Sequence, residues 1–273
     1  IMVMKSYMDK FFKFEKQRWE TPYLEYQDLA ADDNNFVEEY SITYTRQGAM
    51  DNTGEELEKF ISEANDLLSQ HKGIPEYSKK GVHDALVLFD FRSHLYAPLI
   101  SLTNESLKIQ ISPVSLNVDE MRFVDMLKAY TEANTEKLAD KSLYLLRNKS
   151  KVGMGFFEAG NFYPDYILWI DTAEKQYISF IDPKGLMRIM PENPKIQFHK
   201  TIKELEKRLQ EGNKIDKPMV LNSFIMSATK GADLREWWAT TPYKEKAARE
   251  SINVYTLDDD ASVTRMMEKI LAE

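Results

Sequence analysis

Gly155–Gly185 reads GFFEAGNFYPDYILWIDTAEKQYISFIDPKG. Two runs of strand-like composition, Tyr166–Ile170 and Gln176–Ile181, flank the polar segment Asp171-Thr172-Ala173-Glu174-Lys175, a pattern that predicts a β-hairpin. With the turn centred on Ala173 and Glu174, Asp165 lies opposite Asp182. Directly opposed residues share a sheet face with Cβ atoms roughly 4.5–5.5 Å apart. Lys184, two residues beyond Asp182, falls on that same face if the strand stays regular. A slip of one residue would send one carboxylate to the other face, so the convergence of two carboxylates and one ammonium depends on that register.

Two carboxylates at contact distance repel. Hydrated Mg²⁺, with Mn²⁺ as a substitute, is the expected neutraliser, because it takes a few oxygen ligands and keeps several waters. Such an ion lowers the pKa of bound water and stabilises charge on a phosphoryl oxygen, and a lysine beside it can orient or deprotonate the attacking water. That is the outline of metal-assisted phosphodiester hydrolysis. The plainer alternative is a hairpin with solvent-exposed Asp at its ends and Lys184 in an ordinary loop. Pro-Asp and Asp-x-Lys alone do not separate the two, since short motifs match by chance.

The chain has 273 residues, 43% of them hydrophobic and 29% charged, enough for one large domain or two small ones and for a sizeable core. No apolar run approaches the roughly 18 residues a membrane span needs, and charges interrupt IMVMKSYMDKFFKFEKQRWE too early for a signal peptide. Beginning at Ile1, the chain is expected to be a piece of a longer polypeptide or to lack its first residues. Cysteine is absent, which excludes disulfides, thiolate catalysis and cysteine-dependent zinc sites. His71, His83, His94 and His199 show no metal-ligand spacing, and His83 and His94, eleven residues apart, read as surface or satisfied core residues, so carboxylates are the plentiful metal ligands. A net charge of −8 argues against broad non-specific nucleic-acid binding, which rests on Lys and Arg neutralising phosphates.

Outward from the hairpin, residues 1–80 read as a helical or irregular extension. Lys5–Trp19 fits a helix, and Tyr40–Thr45 alternates like a short strand. Thr53-Gly54-Glu55-Glu56 has the capping-box pattern, followed by Leu57, Phe60, Ile61, Ala64, Leu67 and Leu68 on one helical face. From Gly81 the character changes. Ala85–Phe91 and Pro98–Leu102 are apolar runs, and Leu107, Ile109 and Ile111 alternate with polar residues as in a half-buried strand. Asn117 caps a long helix with Glu120 at its third position. Glu120 shares the inward stripe with Val124, Leu127 and Thr131. It either caps its own helix or supplies a third acid to the metal site.

Leu143–Leu146 and Val152–Phe157 read as strands, with the basic segment Arg147, Lys149 and Lys151 between them; this segment is either a DNA-backbone contact or a solvated turn. Neither G-x-G-x-x-G nor G-x-x-x-x-G-K-[ST] occurs, so nucleotide binding by those motifs is not expected. Thr201–Glu211 is predicted as a helix with Ile202, Leu205 and Leu209 inward, Met219–Ser227 as an apolar strand and Ala261–Leu271 as a closing helix. Trp237-Trp238 is expected to pack under a loop. From Asn117 the order is helix, strand, strand, strand, helix, strand.

That order, with Pro-Asp opening one hairpin strand and Asp-x-Lys closing the other, resembles the PD-(D/E)XK nuclease core. Three stretches are more specifically similar to the C-terminal region of the restriction subunits of type III restriction enzymes and related DEAD/DEAH-helicase nucleases. They are FDFRSHLYAPLI with LKIQISPVSLNVDEMRFV (Phe89–Val124), LYLLRNKSKVGMGFFEAGNFYPDYILWI (Leu143–Ile170) with YISFIDPKGL (Tyr177–Leu186), and MVLNSFIMSAT with LREWW (Met219–Trp238). The resemblance implies an α/β, restriction-endonuclease-like fold over residues 81–273, a mixed central sheet flanked by helices. It implies metal ligation by Asp165, Asp182 and the Pro183 backbone carbonyl, a catalytic Lys184, and Glu120 as the helix acid. It further implies Mg²⁺-dependent cleavage of double-stranded DNA in a bacterial cytoplasm, with a helicase motor upstream in the same polypeptide and a methyltransferase (modification) subunit as partner. RNA is not excluded by motif chemistry. The rival expectation is a catalytically silent docking or scaffold domain, whose aromatic first eighty residues bind a partner.

Overall fold

The computed structural model describes residues 11, 12, 15, 19, 40–48, 50–69, 78–81, 86–89, 99–102, 108–148, 162–212 and 217–273. The chain divides into two compact units, residues 36–146 and residues 1–35 with 147–273. The position 80/81, where the sequence changes character, falls inside the first of these and within a strand.

In the unit 36–146, β1 (Ser41–Tyr44), α1 (Thr53–Ser69), β2 (Ser78–Gly81), β3 (Leu86–Phe89), β4 (Leu99–Leu102), β5 (Ile109–Ser112) and α2 (Val118–Ala133) follow one another. β1 pairs antiparallel with β5, and β2, β3 and β4 form an antiparallel sheet in chain order. Leu57 and Phe60 of α1 are buried with Leu86, Ile100 and Ile109, whereas Ile61, expected on the same inward face, is 37% exposed. The inward stripe of α1 is therefore narrower than its composition suggested; the side chains of Ala64, Leu67 and Leu68 lie outside the described residues. The cap also shifts by one residue. Glu56 N donates to the Asn52 carbonyl, and Asp51 Oδ1 accepts from Thr53 N at 3.0 Å, so Asp51-Asn52, both strong cap formers, start the helix ahead of Thr53.

The other unit carries β7 (Tyr166–Asp171), β8 (Gln176–Lys184), α3 (Pro194–Gly212), β9 (Met219–Ser227), α4 (Gly231–Trp237), α5 (Lys246–Ser251), β10 (Val254–Thr256) and α6 (Ser262–Ala272); β6 (Ser142–Arg147) leads into it. The sheet order is β10-β9-β8-β7-β6, with β7 antiparallel to β8, and β8, β9 and β10 mutually parallel. This is a mixed five-stranded sheet flanked by helices, and the described elements from Asn117 run helix, strand, strand, strand, helix, strand. The strand expected at Val152–Phe157 and the helix expected at Lys5–Trp19 lie outside the described residues, the latter but for positions 11, 12, 15 and 19.

α3 starts at Pro194, seven residues before the expected Thr201. Asn193 Oδ1 accepts from Lys195 N at 3.0 Å, and the Asn193 carbonyl accepts from Ile196 N and Gln197 N. An Asn cap followed by proline, whose fixed φ suits the first helical turn, is a local signal for this start. The extra turns bring Phe198 into a core with Phe162, Ile167, Ile178, Phe180 and Ile202. Trp238 is fully buried and donates Nε1–H to the Ile189 carbonyl at 2.9 Å. Its neighbour Trp237 is 42% exposed, so only one of the two tryptophans packs inward. The reason is helical: α4 ends between them, and consecutive residues on a helix do not share a face.

Candidate active site

The hairpin adopts the register that its composition predicted. Tyr166 pairs with Ile181 and Asp171 with Gln176. The turn is closed by Thr172 N donating to the Lys175 carbonyl at 3.1 Å, while Thr172 Oγ1 donates to that carbonyl at 2.8 Å, leaving Ala173 and Glu174 at its tip. One step beyond the last pair stand Asp165 and Asp182.

Period-two alternation then sorts the side chains. Ile167, Ile178 and Phe180 lie in the core that α3 covers, so Asp182 and Lys184, which share the parity of Ile178 and Phe180 within β8, continue the same face past the end of that core, while Asp165 stands at a bend immediately before β7. β8 stays regular through Lys184 because β9 pairs with it to Ser227, and Ala228 N donates to the Lys184 carbonyl at 3.0 Å. Pro183 lies beyond the last residue that pairs with β7. Since Lys184 hydrogen-bonds toward β9, alternation turns the peptide groups of Pro183 the other way, where β7 has ended. A proline without an N–H is tolerated there, and its carbonyl is available on that side.

Asp182 is 4% exposed, and its Oδ2 is a buried oxygen with no hydrogen-bond donor. Lys184 Nζ stands 3.6 Å from that oxygen, an ion-pair distance outside hydrogen-bonding range. A buried carboxylate oxygen without a donor is costly, and a cation ligated there would relieve the cost. Two carboxylates and a carbonyl are hard oxygen donors of the kind Mg²⁺ takes, so the residue types fit such an ion, and Asp165, Asp182 and the Pro183 carbonyl are the groups that would hold it. Among the described residues no group of three or more His, Cys, Asp or Glu comes together to hold a metal.

Two residues that hold the site were not singled out from the sequence. Asn148 N donates to the Asp165 carbonyl and Asn148 Nδ2 to the Pro164 carbonyl, both at 2.8 Å, so a buried amide fixes the Pro-Asp backbone. It sits inside the stretch read as a basic segment, where its role was masked by its charged neighbours. Arg147 ends β6, whereas Lys149 and Lys151 lie outside the described residues. The second residue is Lys195, on the first turn of α3, whose ammonium lies over the Phe162 ring at 5.0 Å from its centroid. Burial lowers its pKa, and the adjacent Lys184 lowers it further; Asp182 and Asp165 act in the opposite sense. The charged groups that act on Lys195 are thus Lys184, Asp182 and Asp165.

Glu120 belongs to the other unit. It is 7% exposed and completes the capping box of α2: Asn117 Oδ1 accepts from Glu120 N at 2.9 Å, and Glu120 Oε2 accepts from Asn117 N at 2.8 Å. Of the two readings open for Glu120, the cap is realised. His199 is a half-buried residue of α3 with Nδ1 2.7 Å from the Ile196 carbonyl; His71, His83 and His94 lie outside the described residues. No helix among the described residues is long and apolar enough to cross a membrane. No family model, curated protein or solved structure matches this chain.

Proposed function

We propose that Asp165, Asp182 and Lys184 form the active site of a Mg²⁺-dependent endonuclease that hydrolyses phosphodiesters of double-stranded DNA, on a restriction-endonuclease-like core. The observation that carries this reading is the hairpin end, where Asp165 and Asp182 stand one step beyond the last strand pair and the buried, donor-free Oδ2 of Asp182 has an ammonium 3.6 Å away. A bound divalent ion would supply Lewis-acid stabilisation of phosphoryl charge and a more acidic water. The chain's own contribution is positional. Asn148 and the β8–β9 pairing hold the acidic groups at fixed register, α3 closes the apolar side of the site, and Lys184 presents a proton-handling group next to Asp182. The strand order agrees with the nuclease resemblance, and attachment to a helicase motor with a modification subunit belongs to the same proposal.

The test pairs cleavage with metal binding. The parent chain is expected to nick or cut duplex DNA in Mg²⁺ and to melt at a higher temperature in Mg²⁺ than in EDTA. Asp182→Asn keeps the side-chain size and removes an anionic ligand, so it loses both cleavage and the Mg²⁺-induced shift while retaining a cooperative melt in EDTA. A parent chain with no Mg²⁺ shift and no cleavage would instead identify a silent scaffold.

A further inference from the structure

The residue in this neighbourhood that the proposed chemistry has not used is Lys195. Its backbone N is capped by Asn193, its ammonium is over the fully buried ring of Phe162, and that ring packs edge-on against Phe198 at 5.8 Å. The side chain thus leaves the first turn of α3 along a rigid aromatic wall. The next residue, Ile196, packs in one cluster with Leu186 and with Ile225, the β9 partner of Asp182, and Lys184, Asp182 and Asp165 are the charged groups that act on the Lys195 ammonium.

Two features make a cation here unexpected on structural grounds alone. The N-terminus of a helix carries a partial positive charge that favours anions, yet the first turn of this 19-residue helix contains no acid and does contain Lys195. A second ammonium at Lys184 repels it. Within the chain Asp182 and Asp165 offset part of these costs. A divalent cation ligated by those carboxylates would neutralise them and leave both lysines facing the site without a counter-anion. The group that satisfies such a surface is an anion carrying several acceptor oxygens. The donor-free Oδ2 of Asp182, in a residue more than nine-tenths buried, is an independent sign that the cluster awaits a ligand.

We propose that Lys195 is a second phosphate-contacting ammonium of this site, holding the phosphodiester from the N-terminal turn of α3 while Lys184 approaches it from β8. The proposal rests on the nuclease reading and assigns to that site a contact on a helix outside the Pro-Asp and Asp-x-Lys motifs. The plain alternative is that Lys195 only lays its aliphatic stem on Phe162 with its ammonium toward water.

Lys195→Met separates the two, because it keeps the stem and removes the charge; Lys195→Arg restores charge. Binding of the intact chain to a fluorescent DNA duplex is measured by anisotropy in Ca²⁺, which supports binding without cutting, across a series of salt concentrations. Cleavage is measured in Mg²⁺ and folding by thermal melting. A lost phosphate contact flattens the dependence of log affinity on log salt by about 0.9 and weakens binding about tenfold or more. The expected result is that Lys195→Met does both with its melt intact, and that Lys195→Arg recovers the slope. An unchanged slope in Lys195→Met, with the parent chain cutting DNA, overturns the phosphate contact and leaves the nuclease reading standing. A parent chain that neither binds nor cuts overturns both together.

Discussion

Asp182 and Glu120 are both buried carboxylates read from the sequence as members of one site, and their surroundings differ in kind. The Oδ2 of Asp182 has no donor, whereas Glu120 accepts from the amide that opens its own helix. A carboxylate used as a cap is replaceable by any side chain that still presents an acceptor oxygen, whereas a carboxylate used as a metal ligand is not. Glu120→Gln is therefore expected to melt within about 0.5 kcal/mol of the parent and to retain cleavage. Glu120→Ala, which leaves Asn117 N without its partner, is expected to lose about 1 kcal/mol. Urea unfolding with a cleavage assay on both variants checks this, and loss of cleavage in the Gln variant with an unchanged melt would make Glu120 part of the chemistry.

At the scale of elements, the site depends on where α3 begins. Asn193 and Pro194 add nearly two turns ahead of the most regular part of the apolar pattern, and those turns carry Lys195, Ile196 and Phe198. Asn193 Oδ1 is the acceptor for Lys195 N, so the cap both satisfies an orphan donor and sets the direction in which the Lys195 side chain departs. Asn193→Ala is expected to lower stability by about 1 kcal/mol and, under the phosphate-contact proposal, to weaken DNA binding as well. Asn193→Asp, an equally good cap, is expected to keep the stability. Denaturant midpoints at unchanged m-value report the first effect and the anisotropy titration the second. Binding unaffected by a frayed cap would show that Lys195 takes its position from Phe162 alone.

At the scale of the whole molecule, the unit that bears the site is stabilised by the core between the hairpin, β9 and α3. Phe198 is fully buried there, edge-on to Phe162. Phe198→Ala is expected to cost about 3–5 kcal/mol, a large share of the roughly 5–15 kcal/mol that keeps a domain folded. Calorimetry is expected to show its transition at much lower temperature. Cleavage in this variant should fall in step with the folded fraction and not beyond it, since Phe198 makes the platform and not the chemistry. Activity lost at temperatures where the variant is still folded would assign the ring a more direct role.

The hairpin was legible because its information is local. Two short apolar runs and a polar turn centred on Ala173 and Glu174 specify which residues pair, because the turn of a hairpin fixes the register of its strands. The cap of α2 was legible for the same reason, since Asn117 and Glu120 meet within a single turn. The inward stripe of α1 was overread: Ile61 fits the apolar face by spacing but stays exposed, because burial is decided by what packs against a helix. Asn148 was hidden since its partners, Pro164 and Asp165, are 16 and 17 residues away in the chain. Lys195 was hidden for a related reason. It follows the hairpin in sequence, and its approach to Lys184, Asp165 and Asp182 exists only once α3 has docked across β8 and β9. The sequence by itself determined the hairpin register, which leaves Asp165 and Asp182 one step beyond the last pair and Lys184 on the Asp182 face of β8, through turn chemistry and strand alternation. Only tertiary structure decided which groups surround them, because docking of a helix on a sheet is driven by burial of its whole apolar face, and the polar residues at its ends go wherever that burial takes them.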